Sequence, residues 1–284
     1  MSNRTRAIAI VGMHRSGTSA VARGLEALGV YLGDDFLDAQ PENPTGYWED
    51  RRIVALDDRV LKLLGLVWDD AAPIDRRSFR GWRMWRLRRE AIRDLRRRFL
   101  DRPLWGFKDP RTLRVLPFWL QALREGNVDD AYVLVIRNPS SVAASLHKRQ
   151  QMSVSAAQRL WLAHLVPFLG DLADKPFVVV DYDLLMADPR EQLERIARAL
   201  AIEPVDASEI ERFAGEFLDE KLRHSVFSLD DIDTSTEAGR LTREAFALLQ
   251  DLATDRSADD AAFWAAWQEV TASFDAGAAR PRSG

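Results

Sequence analysis

The chain has no cysteine among its 284 residues. Disulfides, thiolate metal sites and a cysteine nucleophile are therefore excluded. Histidine is nearly as scarce: His14, His147, His164 and His224 are the full set, and no two share a metal-ligand spacing. No apolar run approaches the ~20 residues that a membrane span needs. The opening MSNRTRAIAIVGM is basic and then apolar, but the apolar part is too short for a signal-peptide core. The expectation is a cytoplasmic protein with no membrane span. A strong excess of positive charge is also missing. The net charge is −4, so the molecule as a whole is not an obvious polyanion binder.

What is present suits a globular chain, with 46% hydrophobic and 30% charged residues. Short continuous apolar runs stand at 6–12, 104–107, 131–136 and 177–180, separated by helical stretches. That pattern predicts an α/β fold of the P-loop type, three layers with a central parallel sheet flanked by helices. Helices are expected over 17–29, from Arg51, and over 139–150, 154–169, 189–201, 208–217, 238–253 and 258–274, with Ser208 and Glu211 as a capping box. Neither a repeat nor a linker divides the chain. The expectation is one domain over 1–284, with a helical portion from about 205 and a disordered tail from about 276.

Residues 76–98 hold eleven arginines against Glu90 and Asp94. The local charge is +9, which leaves −13 on the remainder. Trp82, Trp85, Leu95 and Phe99 suggest one apolar stripe. An amphipathic helix with a solvated arginine face is preferred to a nucleic-acid or acidic-acceptor surface, so no nucleic-acid partner is expected.

Parallel sheets bind ligands beyond the carboxyl ends of their strands. Two constellations stand there. Gly12-Met13-His14-Arg15-Ser16-Gly17-Thr18-Ser19 has the glycine spacing of a phosphate-binding loop. Its backbone N–H groups and the following helix N-terminus suit an anion. The lysine that nucleoside triphosphates require is replaced by Thr18, and the cation has moved to Arg15. The second constellation runs from Arg137-Asn138-Pro139 to Ser145. An Arg at a strand end and a Ser along the next helix suit one phosphate.

At these residues the chain resembles the sulfotransferase family, in a bacterial-type branch with an Arg in the 5′-phosphosulfate loop. The family's loop resembles His14-Arg15-Ser16-Gly17-Thr18-Ser19, and its 3′-phosphate motif, R-N-P-x-x-x-x-x-S, resembles Arg137 through Ser145. Leu184 to Pro189 is similar to a third family element. The resemblance spans about residues 6–200. It implies transfer of a sulfuryl group from 3′-phosphoadenosine 5′-phosphosulfate (PAPS) to an acceptor hydroxyl, without a metal. The acceptor class favoured is a carbohydrate or small metabolite, in a pocket shaped by residues 34–50, 65–82 and 221–235.

The resemblance also implies roles. His14, Arg15, Ser16, Gly17, Thr18, Ser19, Arg137 and Ser145 would bind the donor, and Arg15 and Lys108 would stabilise the transferring group. Lys108-Asp109-Pro110 is similar to the strand-end K-D-P of the tyrosine-sulfating branch, whereas the histidine that cytosolic sulfotransferases place two residues after that lysine is replaced by Pro110. The base is then Glu49, with Arg51 as its partner in an E-x-R pattern, or Asp50. The family's C-terminal donor loop, G-x-x-G-x-x-K, is absent, and Arg223 within Lys221–His224 is the nearest basic substitute. Two alternatives stay open: an ATP-dependent small-molecule kinase, against which Thr18 counts, and a noncatalytic nucleotide-binding protein. Oligomeric state is not written in the sequence.

Overall fold

Four short strands carry the fold: β1 Arg6–Gly12, β2 Leu104–Lys108, β3 Asp129–Ile136 and β4 Phe177–Asp181. They form one parallel sheet in the order β2-β1-β3-β4. The computed structural model describes residues 5–39, 46–217, 227–254 and 261–279. Its helices are α1 Thr18–Ala27, α2 Arg51–Leu63, α3 Trp82–Phe99, α4 Leu116–Gly126, α5 Pro139–Gln150, α6 Val154–Leu169, α7 Tyr182–Ala187, α8 Pro189–Ala199, α9 Ala207–Arg212, α10 Glu237–Thr254 and α11 Ala261–Ala279. No helix among the described residues is long and apolar enough to cross a membrane.

The strands read as continuous apolar runs because both of their faces are covered. Alternate residues separate into two cores. Ala7, Ala9, Val11, Leu134, Ile136 and Val179 meet side chains of α2, α3, α4, α6, α10 and α11. Ile8, Ile10, Val133, Val135, Val178 and Val180 meet α1, α8 and α9. This is the expected three-layer α/β arrangement.

Three local expectations are corrected. The helix at 207 is capped by Asp206, which accepts from Ser208 N, and not by Ser208. The last helix runs to Ala279, past the expected start of a disordered tail. The apolar stripe of α3 consists of Met84, Leu87, Ala91, Ile92, Leu95 and Phe99. Trp82 and Trp85 lie outside it, 63% and 52% exposed. They fall one face away from the Leu87–Leu95 line on a 3.6-residue helix, so burying them would have exposed that line.

Asp57 is the unusual core residue. It is fully buried on α2 and accepts from Thr112 Oγ1 at 2.9 Å and Trp119 Nε1 at 2.6 Å. Burial, and then the nearby Asp109 carboxyl, raise its pKa well above the ordinary 3.8. A carboxyl that holds its proton more tightly when folded costs nothing below its unfolded pKa. The full cost appears only above its folded pKa. Asp57→Asn can still accept from Trp119 Nε1 through its amide oxygen and can donate its NH2 to Thr112 Oγ1, without a charge. It is expected to raise stability at pH 8 and to leave stability at pH 3.5 nearly unchanged. Urea unfolding at the two pH values reads this directly, and a loss at both would contradict it.

Candidate active site

The distinctive residues meet beyond the carboxyl ends of β1, β2 and β3. The loop after β1 turns sharply. Gly17 has φ 85°, and a Cβ there would land on the ring of Tyr182, so only glycine fits. Arg15 also adopts a left-handed conformation, φ 69°, a strain that loops of this kind hold at functional positions. α1 starts at Thr18 with no side chain capping it. α3 and α4 share that lack, whereas α2, α5, α6 and α8 are capped by Asp50, Asn138, Ser153 and Asp188. The uncapped turn keeps its N–H groups available for an anion.

Arg15 spans to the second constellation. Its Nε donates to Ser145 Oγ at 2.9 Å. Arg137 Nη1 reaches the Arg15 carbonyl at 3.5 Å, and its guanidinium lies over the Tyr182 ring at 4.6 Å. Arg15 and Ser145, 130 residues apart in the chain, thus share one place with Arg137. Asn138 caps α5 by accepting from Ser140 N, and its Nδ2 donates to the carbonyls of Phe227 and Ser228 at 3.1 and 2.8 Å. Those bonds seat the chain after residue 226 beside the motif. Arg223 and its neighbours lie outside the described residues.

On the other side of the loop, Lys108 and Glu49 form a buried ion pair of 2.7 Å, with exposures of 2% and 5%. Lys108 Nζ also donates to the Tyr47 carbonyl at 2.9 Å and to Ser19 Oγ at 3.4 Å. Ser19 Oγ donates to the same carbonyl at 3.0 Å. The second oxygen of Glu49 faces Arg111 Nη1 at 3.4 Å. Arg111 is itself held by Asp109 at 2.8 Å and Asp58 at 2.9 Å. Burial raises the Asp109 pKa to about 6, with the Arg111 cation opposing that shift.

One expectation fails here. Arg51 is not the partner of Glu49: it pairs with Asp35 and Asp38 at 3.4 and 2.7 Å, and Arg111 takes the place beside Glu49. Asp50 is fully engaged in holding the fold. It caps α2 through Arg52 N and Ile53 N and pairs with Arg98 through both oxygens. The sequence offers one signal for Arg111, its position three residues after Lys108 on the turn Pro110–Leu113.

His14, part of the loop, faces a roof formed by Trp68 and His164. Its ring is 4.5 Å from Trp68 and 5.9 Å from His164. Burial, then His164, Arg111 and Lys108, hold its pKa well below 6.5, so it is neutral at physiological pH. Arg114, which no sequence pattern marks, fixes this roof. Its buried guanidinium donates to the carbonyls of Ala163, Asp70 and Ala72 at 2.8, 3.0 and 2.8 Å.

Three buried polar atoms in this cleft, His14 Nε2, Ser16 Oγ and Arg137 Nε, have no hydrogen-bond partner among the described residues. Buried polar groups are seldom left so, and a ligand with several anionic oxygens would satisfy the Ser16 and Arg137 donors. Every cation and hydroxyl around the loop is of the kind that grips phosphate or sulfate.

The sequence profile described as "Sulfotransferase family" matches residues 7–206. Among solved structures the chain is similar to the sulfotransferase domain of the Synechococcus PCC 7002 olefin synthase, at 16% identity and TM-score 0.49, covering 86% of this chain and 95% of that one. It is also similar to the sulfotransferase STF1 of Mycobacterium tuberculosis H37Rv, at 20% identity and TM-score 0.44, covering 86% and 77%. No match was found among curated proteins. The matched segment takes in the loop after β1, Lys108, Arg137 and Ser145, and more than two thirds of the sequence: the chain belongs to the sulfotransferase family.

Proposed function

We propose that the protein transfers a sulfuryl group from PAPS to the hydroxyl of a carbohydrate or small metabolite in a cytosolic setting, by a direct in-line displacement that needs no metal. The observation that carries this reading is the buried pair of Lys108 and Glu49, 2.7 Å apart and touching Ser19 of the anion loop. A cation and a carboxylate are both needed at the reacting centre, and here one contact supplies them together.

PAPS supplies an activated sulfuryl group and a 3′-phosphate that distinguishes it from nucleoside triphosphates. The uncapped N-terminus of α1, with Ser16, Gly17, Thr18 and Ser19, would hold the 5′-phosphosulfate. Arg137 and Ser145 would hold the 3′-phosphate, and Arg15, bonded to Ser145, would link the two anionic ends. Lys108 would neutralise charge that develops on the leaving oxygen. Glu49 would accept the acceptor hydroxyl's proton. Arg111 would orient that carboxylate from its other oxygen. His14, held neutral, and Trp68 would form the acceptor-side wall.

Arg15→Ala and Lys108→Ala are each expected to lower turnover by ~100-fold or more, the scale for loss of one preorganised charge-stabilising group. Near-normal turnover in both would remove the mechanism. Arg137→Ala should weaken adenosine 3′,5′-bisphosphate far more than adenosine 5′-phosphosulfate in competition assays, and equal losses would contradict its assignment to the 3′-phosphate.

Glu49 and Asp50 separate by readout. Glu49→Gln should abolish most turnover yet still bind adenosine 3′,5′-bisphosphate. Asp50→Ala, which leaves Arg98 without its buried partner, should cost about 3 kcal/mol of stability. The reverse pattern, with Asp50→Ala stable and inactive, would make Asp50 the base.

A further inference from the structure

A second feature lies well away from this cleft. α2 and α3 run antiparallel, tied by Arg52 to Asp94 at 2.9 Å and Arg59 to Glu90 at 2.8 Å. Between the end of α2 and the start of α3 is an open valley of about 1000 Å³. Arg59, the first lining residue on α2, stands 9 residues beyond the cap Asp50, so at ~1.5 Å per residue the valley begins ~14 Å along the helix from its N-terminus.

The valley is apolar within and basic at its rim. Leu63, Trp82 and Trp85 line it, 41%, 63% and 52% exposed, with Leu87 below. Lys62, Arg83, Arg86, Arg89 and Arg93 surround them. Glu90 is the sole acid among the lining residues, and Arg59 already neutralises it. A large apolar side chain left in water forgoes the gain of burial, and three such side chains gather here. A solvated arginine face alone does not account for two tryptophans among the arginines.

We propose that this valley docks an acidic amphipathic helix of a partner protein. The groove between two antiparallel helices is the natural seat for a third. Trp82 to Arg93 spans ~16 Å, room for about three turns of helix. An apolar centre with a polar rim is the anatomy of a protein interface, and Trp and Arg are its most energetic residues. Charge selects the partner's sign: the lining residues bring six cations, Arg59, Lys62, Arg83, Arg86, Arg89 and Arg93, against Glu90, while the chain as a whole carries −4, so an acidic helix is drawn to this corner and repelled elsewhere. Two other polyanions fit less well. A bilayer surface is flat and leaves a valley unfilled. A nucleic-acid base needs an open ring face, whereas Trp82 is flanked by the guanidinium groups of Arg83 and Arg86 at 5.6 and 5.7 Å.

The test uses the full chain and a fluorescent 18-residue peptide with leucine at every third or fourth position and glutamate elsewhere. A scrambled peptide of the same composition, anionic phosphatidylglycerol vesicles and a 20-residue oligothymidylate are the comparisons. Anisotropy at physiological salt should show saturable binding of the amphipathic peptide. Scrambling, Trp85→Ala or Arg86→Glu should each weaken it at least tenfold, with circular dichroism of both variants unchanged. Four outcomes overturn the proposal: no binding, equal affinity for the scrambled peptide, tighter binding of the vesicles or the oligonucleotide, or self-association that Trp85→Ala abolishes.

Discussion

The contact between Lys108 and Glu49 is the constraint around which the cleft is arranged. Two opposite charges, almost wholly removed from water, are tolerable only as a pair with their remaining hydrogen bonds met. The Tyr47 carbonyl, Ser19 and Arg111 meet them. That requirement joins the strand end of β2, the first turn of α1 and the segment before α2, although they are distant in sequence. A buried charge pair is weak evidence for stability and stronger evidence for use. Its cost is retained where an approaching ligand can exchange partners with it.

The parallel sheet positions everything else. With β1 central, its loop opens between Lys108 on β2 and Arg137 beyond β3. One anion loop can therefore serve two separated charges on its ligand. Arg15 makes the link physical by bonding across to Ser145.

The scaffold is legible in the sequence because both faces of the sheet are buried. Continuous apolar runs as short as AYVLVI and FVVV, bounded by helical stretches, are what a strand covered on both sides requires. The loop and the Arg137–Ser145 spacing follow from local backbone rules. Pairing between distant segments is not legible. Glu49 and Asp50 are adjacent carboxylates at a helix start, and only packing assigns one to Lys108 and the other to Arg98. The E-x-R pattern points to Arg51 as the partner of Glu49, and the turn after β2 brings Arg111 there instead. Asp57, His164 and Arg114 bury polar groups that no periodicity reveals. Residue type alone puts Trp82 and Trp85 in the core of α3, whereas helix phase places them in water.

In the proposed function the loop after β1, with Thr18 at the position of the triphosphate lysine and its cation at Arg15, joins the Arg137–Ser145 pair in a binding site for a 3′-phosphorylated nucleotide. Calorimetry with adenosine 3′,5′-bisphosphate and with ATP, each with and without Mg²⁺, tests it most directly. Tight, metal-independent binding of the bisphosphate with weak binding of ATP is expected. ATP binding that requires Mg²⁺, with the bisphosphate weak, would contradict it and make the loop that of a kinase.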